Sequence, residues 1–181
     1  MTAANWITLS RIMLIPLFMI SMDSAWPYSN IVALAIFIVA SLTDGIDGYV
    51  ARKFNQVTTF GKFMDPLADK LLVAAAIICF VQDGKMAAWA AVVIITREFV
   101  VTSLRMVAAT SGVVIAAGLS GKIKTTVQIA CIVFMLTPQH SITIAESSIS
   151  WGNVAVWVMV AATVWSGADY LVKHRDIIKV R

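Results

Sequence analysis

The segment "SLTDGIDGYVARKFNQVTTFGKFMDPLADKLLVAAAI", residues 41–77, places aspartates inside a strongly apolar sequence. Asp44 and Asp47 come before the polar connection "RKFNQVTT", and Asp65 and Asp69 come after it. A carboxylate is costly in hydrocarbon, and carboxylates inside membrane segments usually mark functional sites. The segment therefore predicts two apolar helices, joined by a short connection, that together carry a functional cluster.

The composition indicates a membrane protein. The chain has 181 residues, of which 60% are hydrophobic and only 13% are charged, and its mean hydropathy is +0.86. A soluble domain of this length has too little interior to bury so many apolar side chains, which excludes an ordinary soluble enzyme. Because no long polar block interrupts the sequence, we expect a single integral membrane domain over residues 1–181.

The hydropathy pattern predicts an all-α integral membrane protein with six transmembrane helices. A spanning helix needs ~20 mostly apolar residues. The candidate segments are Ile7–Met22, Ile31–Arg52, Phe60–Val81, Met86–Ala108, Ile123–Leu136 and Trp151–Val172. With both termini on one side, nearly all Lys and Arg residues collect on that side, and Lys85 alone lies in the opposite loops. By the positive-inside rule, both termini are expected to be cytoplasmic.

Helical geometry brings the aspartates onto two faces. On a helix that turns ~100° per residue, Asp44 and Asp47 lie ~60° apart, and Gly61, Asp65 and Asp69 cover only ~80°. A short connection makes the two helices antiparallel neighbours, so these faces can meet. Four converging carboxylates repel one another unless they are protonated or bound to cations. Hard divalent cations prefer oxygen ligands, so two Mg²⁺ ions would neutralise the cluster.

The residues alone leave alternatives open for the aspartate cluster. The carboxylates could be structural and pair with Arg52 or Lys70, and the glycines could be close helix-packing positions. A carboxylate pair could also serve a small cation or proton transporter. A transporter site is expected near the membrane midplane with access from both sides, whereas these aspartates flank a cytoplasmic connection.

The cluster resembles a known family signature. Residues 44–69 fill every position of the pattern D-x₂-D-G-x₂-A-R-x₈-G-x₃-D-x₃-D, which is similar to that of the CDP-alcohol phosphatidyltransferases. The resemblance implies that Asp44, Asp47 and Asp65 ligate the metals and that Asp69, which borders the metal site, is the catalytic base. It implies a cytidine-diphosphate pocket lined by Gly48, Ala51, Arg52 and Gly61. It also implies Mg²⁺ or Mn²⁺, two ions per active site, a homodimer in the bilayer and no nucleic-acid partner.

A stripe of arginines on the fourth segment points to the acceptor. The string "ITREFVVTSLR" places Arg97, Val101 and Arg105 on one helical face, with the arginines ~12 Å apart along the axis. A deep arginine is costly unless it meets an anion or a water-filled cavity. Since guanidinium groups suit phosphate oxygens, a phosphorylated acceptor is expected. An internal ion pair of Arg97 with Glu98 or with an aspartate remains open.

Lysines at the start of the fifth segment extend this basic region. In "GLSGKIKTTVQ", Lys122 is expected to bind an anion, and Lys124 is either a substrate contact or a lysine that snorkels to the interface. The strings "ANWITLSR", "REFVVTSLR" and "GKIKTTVQ" resemble the phosphatidylglycerophosphate synthase branch of the family. This resemblance implies that Arg97, Arg105 and Lys122 hold the phosphate of glycerol 3-phosphate. The candidate substrate contacts near the N-terminus are Asn5, Thr8 and Arg11.

The expected activity is transfer of a phosphatidyl group from CDP-diacylglycerol to glycerol 3-phosphate, giving phosphatidylglycerophosphate and CMP for phospholipid biosynthesis. The expected location is the inner membrane, with the active site facing the cytoplasm. The remaining alternative within the family is another acceptor, such as serine, inositol phosphate or phosphatidylglycerol. Near the end of the last segment, Asp169 is expected to be a helix-end residue or to form a hydrogen bond between helices.

Overall fold

A computed structural model gives the fold. It describes residues 3–24, 26–53, 59–110, 118–137 and 151–173, with side chains for residues 9–24, 26–43, 67–68, 70–108, 118–137 and 151–173. The helices in this part of the chain are α1 (Ala3–Asp23), α2 (Ser29–Lys53), α3 (Thr59–Gln82), α4 (Ala88–Thr110), α5 (Leu119–Leu136) and α6 (Trp151–Lys173). All regular structure in the described ranges is helical, which confirms the expected all-α class.

Each predicted segment overlaps one helix, but the start of α5 differs in a way that matters for the site. The helix begins at Leu119 and not at the predicted Ile123. The Gly118 carbonyl accepts hydrogen bonds from the amides of Gly121 (3.1 Å) and Lys122 (3.3 Å), which closes an additional turn. Hydropathy missed this turn because its residues are mostly not apolar. Lys122 therefore lies in the first turn of α5.

The apolar helices agree with a membrane protein. Among the described residues, α5 and α6 are long and apolar enough to cross a membrane. Shorter apolar stretches cover Ser29–Thr43 of α2 and Lys70–Gln82 of α3. The crossing of all six helices and the orientation of the termini stay predictions.

Contacts within the chain define two compact units. The first contains residues 1–82 and 135–142, and the second contains residues 83–134 and 143–181. The single membrane domain expected from the composition stays a prediction.

The first unit is built on α1, α2 and α3. Helix α1 packs against both α2 and α3, and α2 packs against α3. Ala33, Phe37 and Ala40 form a buried stripe on α2, and the Phe37 ring lies 6.1 Å from that of Phe18, measured between centroids. Small side chains on such a stripe let helices approach closely. The two helices that carry the aspartates therefore belong to one packed unit.

The three helices of the second unit alternate in direction. Along α4 and α6, Trp89 packs on Trp157 with ring centroids 5.4 Å apart, and Arg97 then contacts Ser166. Contacts that run in the same order show that α4 and α6 are parallel. Helix α5 runs in the opposite direction. Its first turn contacts the end of α6, whereas Lys124, which lies further along α5, contacts the middle of α4. The second unit is thus an up-down-up arrangement of three helices.

Candidate active site

The aspartates lie on continuous helical segments. Asp44 and Asp47 are in the second half of α2, whose helix continues to Lys53. Asp65 and Asp69 are in the first half of α3. The helical backbone covers both halves of the motif. The remaining motif positions follow the same division, with Gly48, Ala51 and Arg52 on α2 and Gly61 on α3.

The motif side chains lie outside the described residues. The metal ligands, the catalytic base and the cytidine-diphosphate contacts therefore stay predictions. Among the side chains that are described, no group of three or more His, Cys, Asp or Glu is placed to hold a metal ion. On α1, Asn5 and Thr8 also fall outside the described side chains, whereas Arg11 is buried.

Arg97 is held between its own helix and α6. Its side chain is only 14% exposed, and its Nη1 lies 3.3 Å from Oε1 of Glu98. Its Nη2 donates a hydrogen bond of 2.6 Å to the Ser166 hydroxyl. Its Nε is buried and has no acceptor among the described groups. The internal Arg97–Glu98 pair that the sequence left open is present, and the buried Nε of Arg97 remains available to an acceptor group.

Gly167 allows this close approach of α6. A Cβ atom added at Gly167 would lie 3.2 Å from Cγ of Arg97, which is closer than ordinary packing permits. The glycine lets the backbone of α6 come near the base of the Arg97 side chain. The adjacent Ser166 hydroxyl can then accept from the guanidinium.

Glu98 and Lys124 form a buried ion pair between α4 and α5. The Lys124 ammonium donates to Oε1 of Glu98 and to the Gln128 side-chain carbonyl. Lys124 is 1% exposed, so it does not snorkel to the interface. A buried lysine normally requires a carboxylate partner and further hydrogen bonds, and both are present here.

Arg105 lies beside Tyr170 and the first turn of α5. The guanidinium carbon of Arg105 is 5.7 Å from the centroid of the Tyr170 ring, within the range of a cation–π interaction. Its Nη2 would lie 3.8 Å from a Cβ at Gly121. Lys122 follows Gly121 and is exposed. The structure thus brings Arg105 next to the turn that carries Lys122, while Arg97 lies two turns earlier on the same helix.

Asp169 joins α5 to α6, as expected for a residue that bonds between helices. It accepts a hydrogen bond of 2.5 Å from the Ser120 hydroxyl. Its Oδ1 also lies 2.8 Å from the Lys173 ammonium. The start of α5 is therefore fixed against the last turns of α6.

The charges at this end of the second unit do not balance. The described cationic side chains are Arg97, Arg105, Lys122, Lys124 and Lys173. The carboxylates beside them are Glu98 and Asp169. At the start of α4, by contrast, Lys85 and Asp83 pair at 2.8 Å. An excess of positive charge between apolar helices attracts an anion, and guanidinium donors favour phosphate.

Sequence reasoning missed the α6 contribution to this site. Ser166 and Tyr170 share the buried stripe of α6 with Met159 and Thr163. The spacing of these polar residues along an otherwise apolar helix was the available signal. This spacing could indicate that the polar face of α6 contacts another helix. It could not indicate which α4 residue this face contacts.

Comparison with known proteins places the chain in a family. The model of the CDP-alcohol phosphatidyltransferase family matches residues 1–165. A Bacillus subtilis (strain 168) protein named CDP-diacylglycerol–glycerol-3-phosphate 3-phosphatidyltransferase is 46% identical over 187 residues, covering 97% of this chain and 96% of the relative. A probable phosphatidylglycerophosphate synthase of Mycobacterium tuberculosis (strain ATCC 25618 / H37Rv) is 38% identical over 186 residues, covering 98% and 84%.

A third relative, from Yersinia enterocolitica serotype O:8, has the same name as the Bacillus protein and is 36% identical over 173 residues, covering 92% of this chain and 91% of its own.

The chain belongs to the CDP-alcohol phosphatidyltransferase family, whose members are membrane enzymes. The resemblance seen in the aspartate motif is therefore confirmed, and the names of these relatives agree with the branch to which the basic strings point. Membership of an enzyme family leaves the transporter alternative without support.

Proposed function

We propose that the chain transfers the phosphatidyl group of CDP-diacylglycerol to glycerol 3-phosphate, releasing CMP and forming phosphatidylglycerophosphate. The names of the relatives support this acceptor. The structural observation that carries it is the surplus of cationic donors on α4. Arg97 and Arg105 each keep a buried Nε without an acceptor in the described part of the chain. A phosphate on the acceptor would use such donors, whereas serine would bring no phosphate to them.

The aspartate motif fits divalent ions by the chemistry of its donors. Asp44, Asp47, Asp65 and Asp69 offer only carboxylate oxygens, and the helices that carry them pack together. Hard cations such as Mg²⁺ or Mn²⁺ prefer oxygen ligands, and two ions would balance four carboxylates. When bound, such ions would offset the charge of the diphosphate and of the departing CMP.

The protein side chains then have separate roles. Asp69 accepts the proton of the 1-hydroxyl of glycerol 3-phosphate. That oxygen forms a bond to the β-phosphorus of CDP-diacylglycerol, and the bond from this phosphorus to the CMP oxygen breaks. Arg97, Arg105 and Lys122 hold the acceptor phosphate, and positioning both substrates supplies much of the rate. The residues proposed to line the cytidine-diphosphate pocket are Gly48, Ala51, Arg52 and Gly61.

The proposed arrangement in the cell follows from the same reasoning. All six helices cross the inner membrane as one domain over residues 1–181, with both termini and the active site on the cytoplasmic side. The up-down-up order of α4, α5 and α6 supports successive crossings. A site at the cytoplasmic surface reaches a water-soluble acceptor while the acyl chains remain in the bilayer. The homodimer is proposed from the family resemblance.

The test measures CMP release by purified protein with CDP-diacylglycerol and Mg²⁺. Glycerol 3-phosphate, serine, inositol phosphate and phosphatidylglycerol are compared as acceptors. We expect turnover with glycerol 3-phosphate, and we expect Arg105→Gln to raise KM for that acceptor more than KM for CDP-diacylglycerol. Lys85→Gln, which removes a lysine outside the basic end, is the matched control. Turnover with serine and none with glycerol 3-phosphate would overturn the acceptor assignment.

A further inference from the structure

One carboxylate lies between two cationic side chains inside the second unit. Glu98 accepts hydrogen bonds from the Lys124 ammonium and, at 3.3 Å, from Nη1 of Arg97. Both cations are largely withdrawn from solvent, with 1% of the Lys124 side chain and 14% of the Arg97 side chain exposed. Electrostatic interactions are stronger at such a site than in water. The charge state of Glu98 therefore bears directly on Arg97.

A carboxylate next to Arg97 competes with an acceptor phosphate for the same guanidinium. If Arg97 alone compensated Glu98, the pair would be neutral and would attract a phosphate weakly. With Lys124 included, the group has two cations and one carboxylate, and it keeps a net positive charge. The Lys124 ammonium also donates to Gln128, which holds it on the α5 side of Glu98.

We propose that Lys124 is a positioning residue that acts through Glu98. It compensates the Glu98 charge and so leaves Arg97 available for the phosphate of the acceptor. This rests on the proposed function, because it assumes that a phosphorylated acceptor binds at Arg97. It differs from a direct contact between Lys124 and substrate, since the ammonium is buried and turned toward Glu98 and Gln128.

The test compares the parent enzyme with Lys124→Met, Glu98→Gln and the double variant. In the parent background, Lys124→Met is expected to raise KM for glycerol 3-phosphate about tenfold or more, the usual effect of changing a hydrogen bond to a charged group. KM for CDP-diacylglycerol is expected to stay within about twofold of the parent, a shift of less than half a kcal/mol. In the Glu98→Gln background, adding Lys124→Met is expected to leave KM for glycerol 3-phosphate nearly unchanged.

Folding is followed by thermal unfolding of each variant. Lys124→Met leaves a buried carboxylate with one fewer partner and can prevent folding, whereas the double variant removes both charges and avoids this cost. If the single variant does not fold, a higher KM for glycerol 3-phosphate in the double variant than in Glu98→Gln would still overturn the proposal. Lys85→Met breaks the exposed pair with Asp83 and is the matched control, with both KM values expected to be unchanged.

Three outcomes would overturn the proposal. An equal rise in KM in both Glu98 backgrounds would show a direct contact between Lys124 and the acceptor. An unchanged KM for Lys124→Met would show that Arg97 does not depend on Lys124. Equal losses for both substrates, together with a lower unfolding temperature, would show a structural role only. A parent enzyme that does not use glycerol 3-phosphate would instead refute the proposed function, and that result comes before any variant is compared.

Discussion

Replacing Gly167 by alanine tests whether the close approach of α6 controls Arg97. The added Cβ would lie 3.2 Å from Cγ of Arg97. Carbon atoms pack best at about 3.5–4.0 Å, so either α6 or the arginine must shift by roughly 0.3–0.8 Å. Because Cγ is near the base of the side chain, the shift reaches the guanidinium, which donates to Ser166 at 2.6 Å.

The expected size of the effect follows from two small costs. Moving a side chain off its preferred rotamer costs about 0.5–1.5 kcal/mol, and a weakened hydrogen bond to a charged group adds a comparable amount. We expect acceptor binding to weaken by about 1–2 kcal/mol, which corresponds to roughly a five- to thirtyfold rise in KM for glycerol 3-phosphate. Alanine is better than glycine inside a helix by about 1 kcal/mol. This gain offsets much of the two costs in the folded state, so we expect only a small change in the unfolding temperature.

Gly121→Ala is the matched control. Its Cβ would lie 3.8 Å from Nη2 of Arg105, an ordinary contact. The same replacement in α5 brings a similar helix-propensity gain without crowding an arginine. The assay is CMP release at saturating CDP-diacylglycerol with glycerol 3-phosphate varied. An unchanged KM for Gly167→Ala, or the same rise for both variants, would refute the argument that α6 packing sets the position of Arg97.

Further predictions concern the aspartate motif and one turn. Asp69→Asn should lower the rate of CMP release about 10²–10⁴-fold, the usual contribution of a general base. Equilibrium titration should find that CDP binding is retained. Normal turnover would refute the base assignment. Chelation of divalent ions should abolish CMP release and added Mg²⁺ should restore it, because the carboxylates need cations; activity that survives chelation would contradict the proposed metal site. Gly84→Ala should lower the free energy of unfolding by about 1–2 kcal/mol, because Gly84 has a φ of 69°. KM should stay unchanged, since an added Cβ would contact no other atom. An unchanged unfolding temperature would contradict this prediction.

Much of the fold could be predicted from the sequence because apolar length is a strong signal. Each long apolar segment became one helix, and the stripe predicted on α4 lies on one face of that helix. Val101 is buried, and the arginines on either side of it contact α6 residues. The positions of Arg97 and Arg105 followed from helical periodicity alone, since eight residues bring a side chain back near the same face.

The partners of these residues could not be predicted in the same way. That Arg97 meets Ser166, and that Lys124 meets Glu98, depends on the register between helices that are distant in sequence. Local patterns do not determine that register. From the sequence, Lys124 was either a substrate contact or a snorkelling residue. The structure shows a third arrangement, in which the ammonium is buried against Glu98 and Gln128. The roles of the aspartate side chains still rest on the motif.

The bond between Ser120 and Asp169 has a practical consequence for experiments on living cells. It joins the start of α5 to the end of α6, whereas the connection at residues 138–150 follows the far end of α5. Leu136 lies about 24 Å along the helix axis from Ser120. A peptide tag inserted in the connection would therefore follow the end of α5 that is farthest from Ser120. Such a tag can report which membrane face the connection occupies in a cell whose enzyme still supports lipid synthesis.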